Sequence, residues 1–244
     1  MITLSPRQSI VILTGAGISK ESGLSTFRDE DGIWSQVRIE DVATPAAFAR
    51  DPDAVHAFYN MRRRLMVEKQ VEPNAAHVAL ARLEQHWPGG VTVVTQNVDD
   101  LHERGGTNNL LHMHGRHREV RCGTCNHTVP WQGDLSTGHV CDGCGAAGGL
   151  RPNVVWFGEM PLYLEQIQHA LVNCGLFVSI GTSGNVYPAA GFVEVVRKTS
   201  EAHTLELNLE PSEGASSFAE TRYGPATDLV PTWVEEMLRH ANHP

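Results

Sequence analysis

Short apolar runs ending in glycine or polar turns alternate along this chain with helical stripes, and that alternation constrains the fold more than any other feature. Ile10 to Thr14, Val91 to Thr95, Val154 to Phe157, Leu176 to Ile180 and Thr204 to Leu209 are rich in β-branched and apolar residues. They read as buried parallel strands. Between them, Ala54, Phe58, Met61, Leu65 and Ala76, Leu80, Leu83, Trp87 recur at i, i+4, i+7, i+11, each set on one helix face. The segment after Pro231, with Trp233, Val234, Met237 and Leu238, reads as a last amphipathic helix. The expected fold is α/β with a doubly wound parallel sheet. At 244 residues the chain is long enough for one large domain, alone or with a small module attached.

One stretch departs from this texture. Arg121 to Gly149 is rich in Gly, Cys, Thr and His and offers no amphipathic helix, so something other than an apolar core must hold it. Cys122, Cys125, Cys141 and Cys144 form C-x2-C, a gap of 15 residues, then C-x2-C. Two such knuckles close a tetrahedral zinc site of four thiolates. With every ligand position filled by cysteine no place is left for a water, so one structural Zn2+ is expected. Gly123, Gly143 and Gly145 are read as letting the backbone turn within the knuckles. Neither C-x2-C opens a helix after a strand, which disfavours a thioredoxin-like redox pair. Cys174, in the apolar stretch LVNCGLFVSIG, is the spare cysteine and reads as a small buried hydrophobe.

An odd cysteine count and an N-terminus without an export signal point to the cytoplasm. No apolar run approaches the roughly 20 residues that span a bilayer. The formal net charge of −9 repels nucleic acid and anionic lipid, so neither direct nucleic-acid binding nor a membrane partner is expected.

After the first strand, Gly15-Ala16-Gly17-Ile18-Ser19 is a glycine-rich turn at a helix start, where backbone N–H groups can approach a pyrophosphate. The third glycine of the dinucleotide fingerprint is replaced by Lys20, and no second strand ending in an acidic residue follows. An ordinary hydride-transfer dehydrogenase is therefore disfavoured. The long polar loop from Ser19 to Trp34 reads as a binding loop.

These residues resemble the sirtuin family of NAD-dependent protein lysine deacylases, over nearly the whole chain. GAGIS (15 to 19) and ESGLSTFR (21 to 28) look like the family's NAD loop, TQNVDDLHERGGT (95 to 107) like its ribose and nicotinamide segment, and LHMHG (111 to 115) like its catalytic histidine segment. The four cysteines follow in order, then VVWFGE (154 to 159), GTS (181 to 183) and NLE (208 to 210). FYNMR (58 to 62) resembles the Tyr-x-x-Arg pair of bacterial CobB-type sirtuins of the class III group. The loop Asp29-Glu30-Asp31 is more acidic than is usual there.

The resemblance implies a Rossmann-like NAD domain with an inserted zinc module, spanning 1–244, with the module at about 116–150 and a helical part at about 35–72. It implies removal of acetyl, succinyl or malonyl groups from protein lysines, releasing nicotinamide and O-acyl-ADP-ribose. Alternatives are a mono-ADP-ribosyltransferase and a non-catalytic zinc-ribbon adaptor. A base must take the ribose 2′-hydroxyl proton, and an imidazole suits that task. On residue type alone His112 and His114 rank equally; the resemblance selects His114, with His112 as support. Asn97 and Asp99 complete the implied catalytic set and also contact ribose and nicotinamide, with Gln96 on the ribose hydroxyls. Asp100 reads instead as a helix cap over Asp99 to Arg104.

Gly15, Ala16, Gly17 and Ser19 are implied to hold the cofactor, with Phe27 and Arg28 at the phosphate and sugar face and Trp34 in the same set. Gly181, Thr182, Ser183, a helix-start Asn208, Leu209, Glu210 and Ala226 form the adenosine end. Val154, Val155, Phe157 and Gly158 suit a lysine tunnel whose backbone pairs with an extended peptide, and Trp156 can serve simply as core. Tyr59 and Arg62 stand at i, i+3 on one helix flank; taken alone, Arg62 in the run Arg62-Arg63-Arg64 reads as solvated surface charge, and it is the resemblance that implies the pair holds the carboxylate of a succinyl or malonyl group.

Overall fold

The computed structural model describes residues 4–24 and 37–242. In chain order the elements are β1 (Ile10–Thr14), α1 (Gly17–Lys20), α2 (Ile39–Val42), α3 (Pro45–Arg50), α4 (Pro52–Glu68), α5 (Ala75–His86), β2 (Val91–Thr95), α6 (Leu101–Arg104), β3 (Leu110–His112), β4 (Gly115–Cys122), β5 (Thr128–Pro130), β6 (Leu150–Val154), α7 (Leu164–Asn173), β7 (Leu176–Ile180), α8 (Phe192–Thr199), β8 (His203–Asn208), β9 (Glu220–Tyr223) and α9 (Ala226–Asn242).

Six strands form one sheet in the order β3-β2-β1-β7-β8-β9, every pair parallel. Alternate residues of its central strands face two separate cores. Ile10, Ile12, Val91, Val93, Val178 and Leu205 pack under α5 and α9 with Leu80, Leu83, Trp233 and Met237. Val11, Leu13, Val94 and Phe177 pack under α7 and α8 with Ile167, Leu171, Val193 and Val196. All five residues of β1 and of β7 are buried, which is why those runs show no polar alternation. The strand order reverses at β1, so the sheet's ligand crevice is expected at the carboxyl ends of β1 and its neighbours.

The second sheet, β5-β4-β6, is antiparallel; Cys122 ends its β4, and Cys125, Cys141 and Cys144 lie in the connections between its strands. It corrects one expected parallel strand: Val154 to Phe157 is not a strand of the main sheet. The strand there is β6, which ends at Val154 opposite Gly115. The chain then turns through Gly158 at φ +89°, and the apolar run buries Val154 and Trp156 against α4 while Phe157 remains half exposed.

Other boundaries also move. Strand β8 starts at His203 and ends at Asn208, so Leu209 lies outside it, and β3 and β9 are short edge strands that no apolar run announced. The final helix begins at Ala226 with Pro231 inside it; a proline near a helix start removes only one interior hydrogen bond. The buried face of α4 is also rotated from the expected stripe. Ala54 is exposed, and Val55, His56, Phe58, Tyr59, Asn60 and Arg63 are buried. Three of these are polar because they clamp the cysteine-bearing segment: His56 Nε2 to the Leu150 carbonyl at 3.0 Å, Asn60 Nδ2 to that of Leu135 at 2.8 Å, and Arg63 Nε to that of Gly133 at 3.2 Å.

Candidate active site and metal centre

Gly15 and Gly17 bring β1 against the end of β7. A Cβ on Gly15 would stand 2.7 Å from the Gly181 oxygen, and one on Gly17 2.7 Å from the Gly181 Cα. Their N–H groups donate to the carbonyls of Ile180 (3.0 Å) and Gly181 (2.9 Å). These two N–H groups are spent inside the fold, and the glycines are required for backbone-to-backbone contact. Ala16 caps α1 at its amino end.

Ser19, on α1, is the centre of a buried polar network. Its Oγ donates to Asp99 Oδ2 at 3.2 Å and accepts from Asn97 Nδ2 at 3.1 Å. His77 Nε2 approaches the same oxygen at 3.4 Å. His77 Nδ1 lies 3.3 Å from the Asn74 backbone N–H and 3.1 Å from Asn74 Oδ1, which ties the ring to the start of α5. Asn97 Nδ2 also donates to the Gly15 carbonyl at 3.1 Å. Burial pushes the Asp99 carboxyl up to about 6, despite the Leu101 N–H and Ser19 hydroxyl that favour its charged form, and pulls His77 down to about 4. Asp99, rather than Asp100, accepts the first helical N–H of α6, from Leu101 at 3.1 Å. Asp100 makes no side-chain cap and pairs with Arg118 at 3.0 Å. The expected cap was one residue out.

His114 follows β3, partly buried, with Nδ1 3.1 Å from the Gln96 carbonyl. A carbonyl only accepts, so Nδ1 carries the proton and Nε2 keeps its lone pair. Burial lowers its pKa, so the ring is neutral at pH 7. Both nitrogens of His112 face acceptors, the Asn97 carbonyl at 3.1 Å and Glu103 Oε1 at 2.9 Å. Both His112 nitrogens are thus engaged inside the fold, whereas His114 Nε2 has no partner among the described residues, and the two histidines separate on geometry.

At the ends of β7 and β8, Asn208 Nδ2 donates to the Thr182 carbonyl at 2.7 Å, and Ser179 Oγ and Thr182 Oγ1 are 2.9 Å apart. The structure thus gathers Gly181, Thr182, Ser183 and Asn208. Asn208 is the last residue of a strand, which corrects its expected place at a helix start. Leu209 and Glu210 lie exposed beyond it, and Ala226 is the first residue of α9, against the core. A shallow recess, open to solvent, lies beside this crest and is lined by Gln96, Ser179, Thr182, Gly184, Val186 and Ser212 among others. Phe27, Arg28, Trp34 and the acidic loop Asp29-Glu30-Asp31 lie outside the described residues.

On the substrate side, Val155 N–H donates to the His114 carbonyl at 2.9 Å and Phe157 N–H to that of Ala43 at 3.0 Å. Trp156 N–H donates to Glu159 at 2.8 Å. These three N–H groups are thus engaged within the chain, which narrows the expected peptide-pairing edge to the remaining backbone groups around Gly158. Tyr59 is buried at 1% exposure, its hydroxyl accepting the Trp156 Nε1–H at 2.9 Å. Arg62 is partly buried with its guanidinium 5.8 Å from the Phe58 ring centroid. Desolvation lowers its pKa, opposed by Tyr59 and Asp99.

The four expected metal ligands converge, with all sulfurs within 4.8 Å of one another. Cys122 and Cys144, and Cys125 and Cys141, lie 3.7 Å apart. A tetrahedron of sulfurs about 2.3 Å from a zinc ion has edges of about 3.8 Å, so the donor set fits Zn2+. Disulfides, at about 2.05 Å, are excluded for these cysteines. Backbone N–H groups of Cys125 and Thr124 pull the Cys122 thiol down to about 6, whereas burial pushes Cys174 up to about 11, as befits an inert side chain. Of the three knuckle glycines only Gly145 has a positive φ; Gly143 instead makes room for the His127 ring.

Sequence reasoning missed His77 and His102. His102 is 1% exposed, and its Nε2 lies 2.9 Å from Thr14 Oγ1, which in turn donates to Thr95 Oγ1 at 2.9 Å. With 13 histidines in the chain, residue type alone could not single them out.

Residues 15–188 match the model of the Sir2 family. The chain belongs to the Sir2 family. It is 56% identical over 235 residues to an NAD-dependent protein deacylase of Vibrio vulnificus (strain YJ016), covering 96% of each chain. To an NAD-dependent protein deacylase of Escherichia coli (strain K12) it is 52% identical, covering 94% of this chain and 82% of the relative. A solved Sir2 homolog–NAD complex superposes with a TM-score of 0.84 at 37% identity, over 96% of this chain and 90% of that one. Among the described residues no helix is long and apolar enough to cross a membrane.

Proposed function

We propose that this Sir2-family chain is an NAD-dependent protein lysine deacylase acting on acetyl, succinyl and malonyl groups. The observation that carries the reading is His114: a neutral imidazole whose Nδ1–H is fixed on the Gln96 carbonyl, at the carboxyl end of β2, with Nε2 left as a proton acceptor. NAD, when bound, supplies an activated ribose carbon and a nicotinamide leaving group. Its fit is supported by the recess lined by Gln96, Ser179 and Thr182 and by the polar side chains of Asn97, Asp99, Ser183 and Asn208 at the strand ends.

Within that reading His114 Nε2 takes a hydroxyl proton from the cofactor's ribose. Asn97 and Asp99, held through Ser19, orient the ribose and nicotinamide side, with Gln96 on the ribose hydroxyls. Ala16, Ser19, Phe27, Arg28 and Trp34 hold the phosphates and the sugar face. Leu209, Glu210 and Ala226 join Gly181, Thr182, Ser183 and Asn208 around the adenosine. Val154, Val155, Phe157 and Gly158 flank the acyl-lysine. Tyr59 and Arg62 receive the terminal carboxylate of an acidic acyl group, because a desolvated guanidinium beside a phenol is a strong carboxylate site. The catalytic domain spans 1–244, with the zinc module at about 116–150 and a helical part at about 35–72. Reduced cysteines, a net charge of −9 and protein substrates suit a cytoplasmic enzyme without membrane or nucleic-acid partners.

The test incubates the purified protein with NAD and three matched peptides bearing acetyl-, succinyl- or malonyl-lysine, with products read by mass. Release of nicotinamide and O-acyl-ADP-ribose together with free lysine is the expected result. Peptide gaining an ADP-ribosyl mass with its acyl group intact would overturn it.

A further inference from the structure

Tyr59 and Trp156 are both almost fully buried, at 1% and 2% exposure, and the indole Nε1–H reaches the phenol oxygen over 2.9 Å. Indole nitrogen only donates, so the phenol is the acceptor. The proton of a phenol lies near the ring plane, in one of two directions. A donor arriving from one side leaves it the other. Among the described residues Trp156 is the only hydrogen-bond partner of this hydroxyl, so the phenol's own proton meets no acceptor there.

The indole is itself held firmly. The Arg151 guanidinium lies over its ring, 3.3 Å from the centroid. Arg151 is clamped by Glu159 through two bonds of 2.6 and 2.9 Å, and Glu159 also accepts the Trp156 backbone N–H at 2.8 Å. Phe48 packs against the same indole, with ring centroids 5.4 Å apart. The direction of the Nε1–H bond is thus set by the turn after β6.

We propose that Trp156 is a specificity-determining positioning residue: it occupies one side of the Tyr59 hydroxyl and so makes the phenol a one-way donor to the terminal carboxylate of an acidic acyl-lysine. A neutral acyl group brings no acceptor and leaves that donor unmet, so the device favours acidic acyl groups over acetyl. The inference rests on the acidic-acyl reading of Tyr59 and Arg62.

The experiment is a double-mutant cycle on the zinc-loaded protein, read as the ratio of kcat/KM for succinyl- over acetyl-lysine peptide. Wild type establishes the reading beneath: no desuccinylation at all would remove the acidic-acyl assignment, and this inference with it. Given desuccinylation, Trp156→Phe is expected to lower the ratio by about three- to tenfold, whereas in a Tyr59→Phe background the same change leaves it within about twofold. An equal fall in both backgrounds would mean the indole acts by shape alone, and an unchanged ratio in both would mean it has no part in selectivity. Either result overturns the proposal. Should Trp156→Phe fail to fold, 3-benzothienylalanine at position 156 keeps the indole shape without the N–H and gives the same reading.

Discussion

In the six-stranded sheet every residue of β1 and β7 is buried, and two large clusters of aliphatic and aromatic side chains clamp it from both faces. In the three-stranded sheet the burial of β4 alternates, and the core consists of Val120, Leu135 and Leu150 with Cys122 and Cys141. Three buried aliphatic side chains, with Val129 and Trp131 partly buried against them, are a small core for a segment that runs from β4 to β6. A structural zinc bound by four thiolates contributes on the order of 10–16 kcal/mol. One region is thus held by area removed from water and the other by ligand bonds. His56, Asn60 and Arg63 of α4 tie the second to the rest through its backbone: His56 at the Leu150 carbonyl, Asn60 at both the carbonyl and the N–H of Leu135, and Arg63 at the carbonyls of Gly133 and His117.

The largest effect expected from breaking this contrast is that of Cys141→Ser. Metal is lost, and with it the order of β4 to β6, the strand that leads directly into Val155, and deacylase activity. The six-stranded sheet should survive, so metal analysis and protease sensitivity around 123–149 report the loss while far-ultraviolet dichroism falls only in part. A variant that keeps its stability without bound metal would show that the small core suffices after all.

Next in size is His114→Ala, which touches neither region's support. It should leave zinc content and melting temperature near those of wild type and lower kcat/KM by about a hundredfold or more, the usual contribution of a general base. Turnover at the wild-type level would move the base elsewhere. Arg62→Met is smaller and selective. A hydrogen bond to a charged group contributes roughly 1.5–3 kcal/mol, so desuccinylation should fall by about ten- to a hundredfold with deacetylation much less affected. Equal losses on both peptides would make Arg62 a supporting residue of the fold.

The two regions were unequally legible in the sequence. Runs such as Ile10–Thr14 and Leu176–Ile180 announced themselves because burial on both faces demands continuous apolar residues. The cysteine spacing announced the metal site because coordination geometry restricts it. What escaped was polar and buried. His56, Asn60 and Arg63 look like surface residues until their carbonyl partners, up to 94 positions away, are known. VVWF read as a strand because apolar content does not distinguish packing against a helix from pairing in a sheet. The Ser19 network joins α1, α5 and the segment after β2, and no local pattern encodes a meeting of that kind.

That network yields the smallest effect, a dependence on pH confined to the six-stranded region. Asp99 is raised by burial to about 6 and His77 lowered by burial to about 4, and both contact Ser19. For Asp99 the folded state holds its proton more tightly than the unfolded chain, so its contribution to stability declines as pH rises from about 4 to about 6 and above. For His77 the folded state binds its proton less tightly, and its contribution grows as pH rises through about 4 to 6.5. The two oppose each other, and wild type conceals both. Asp99→Asn removes one side. Between pH 5 and 7 its stability relative to wild type should rise, by on the order of 1 kcal/mol. Melting temperatures of the zinc-loaded proteins at the two pH values measure the difference, and zinc release at the lower pH affects both proteins alike. A constant offset across that range would mean that Asp99 titrates in the folded protein as it does in the unfolded chain, and that water reaches it.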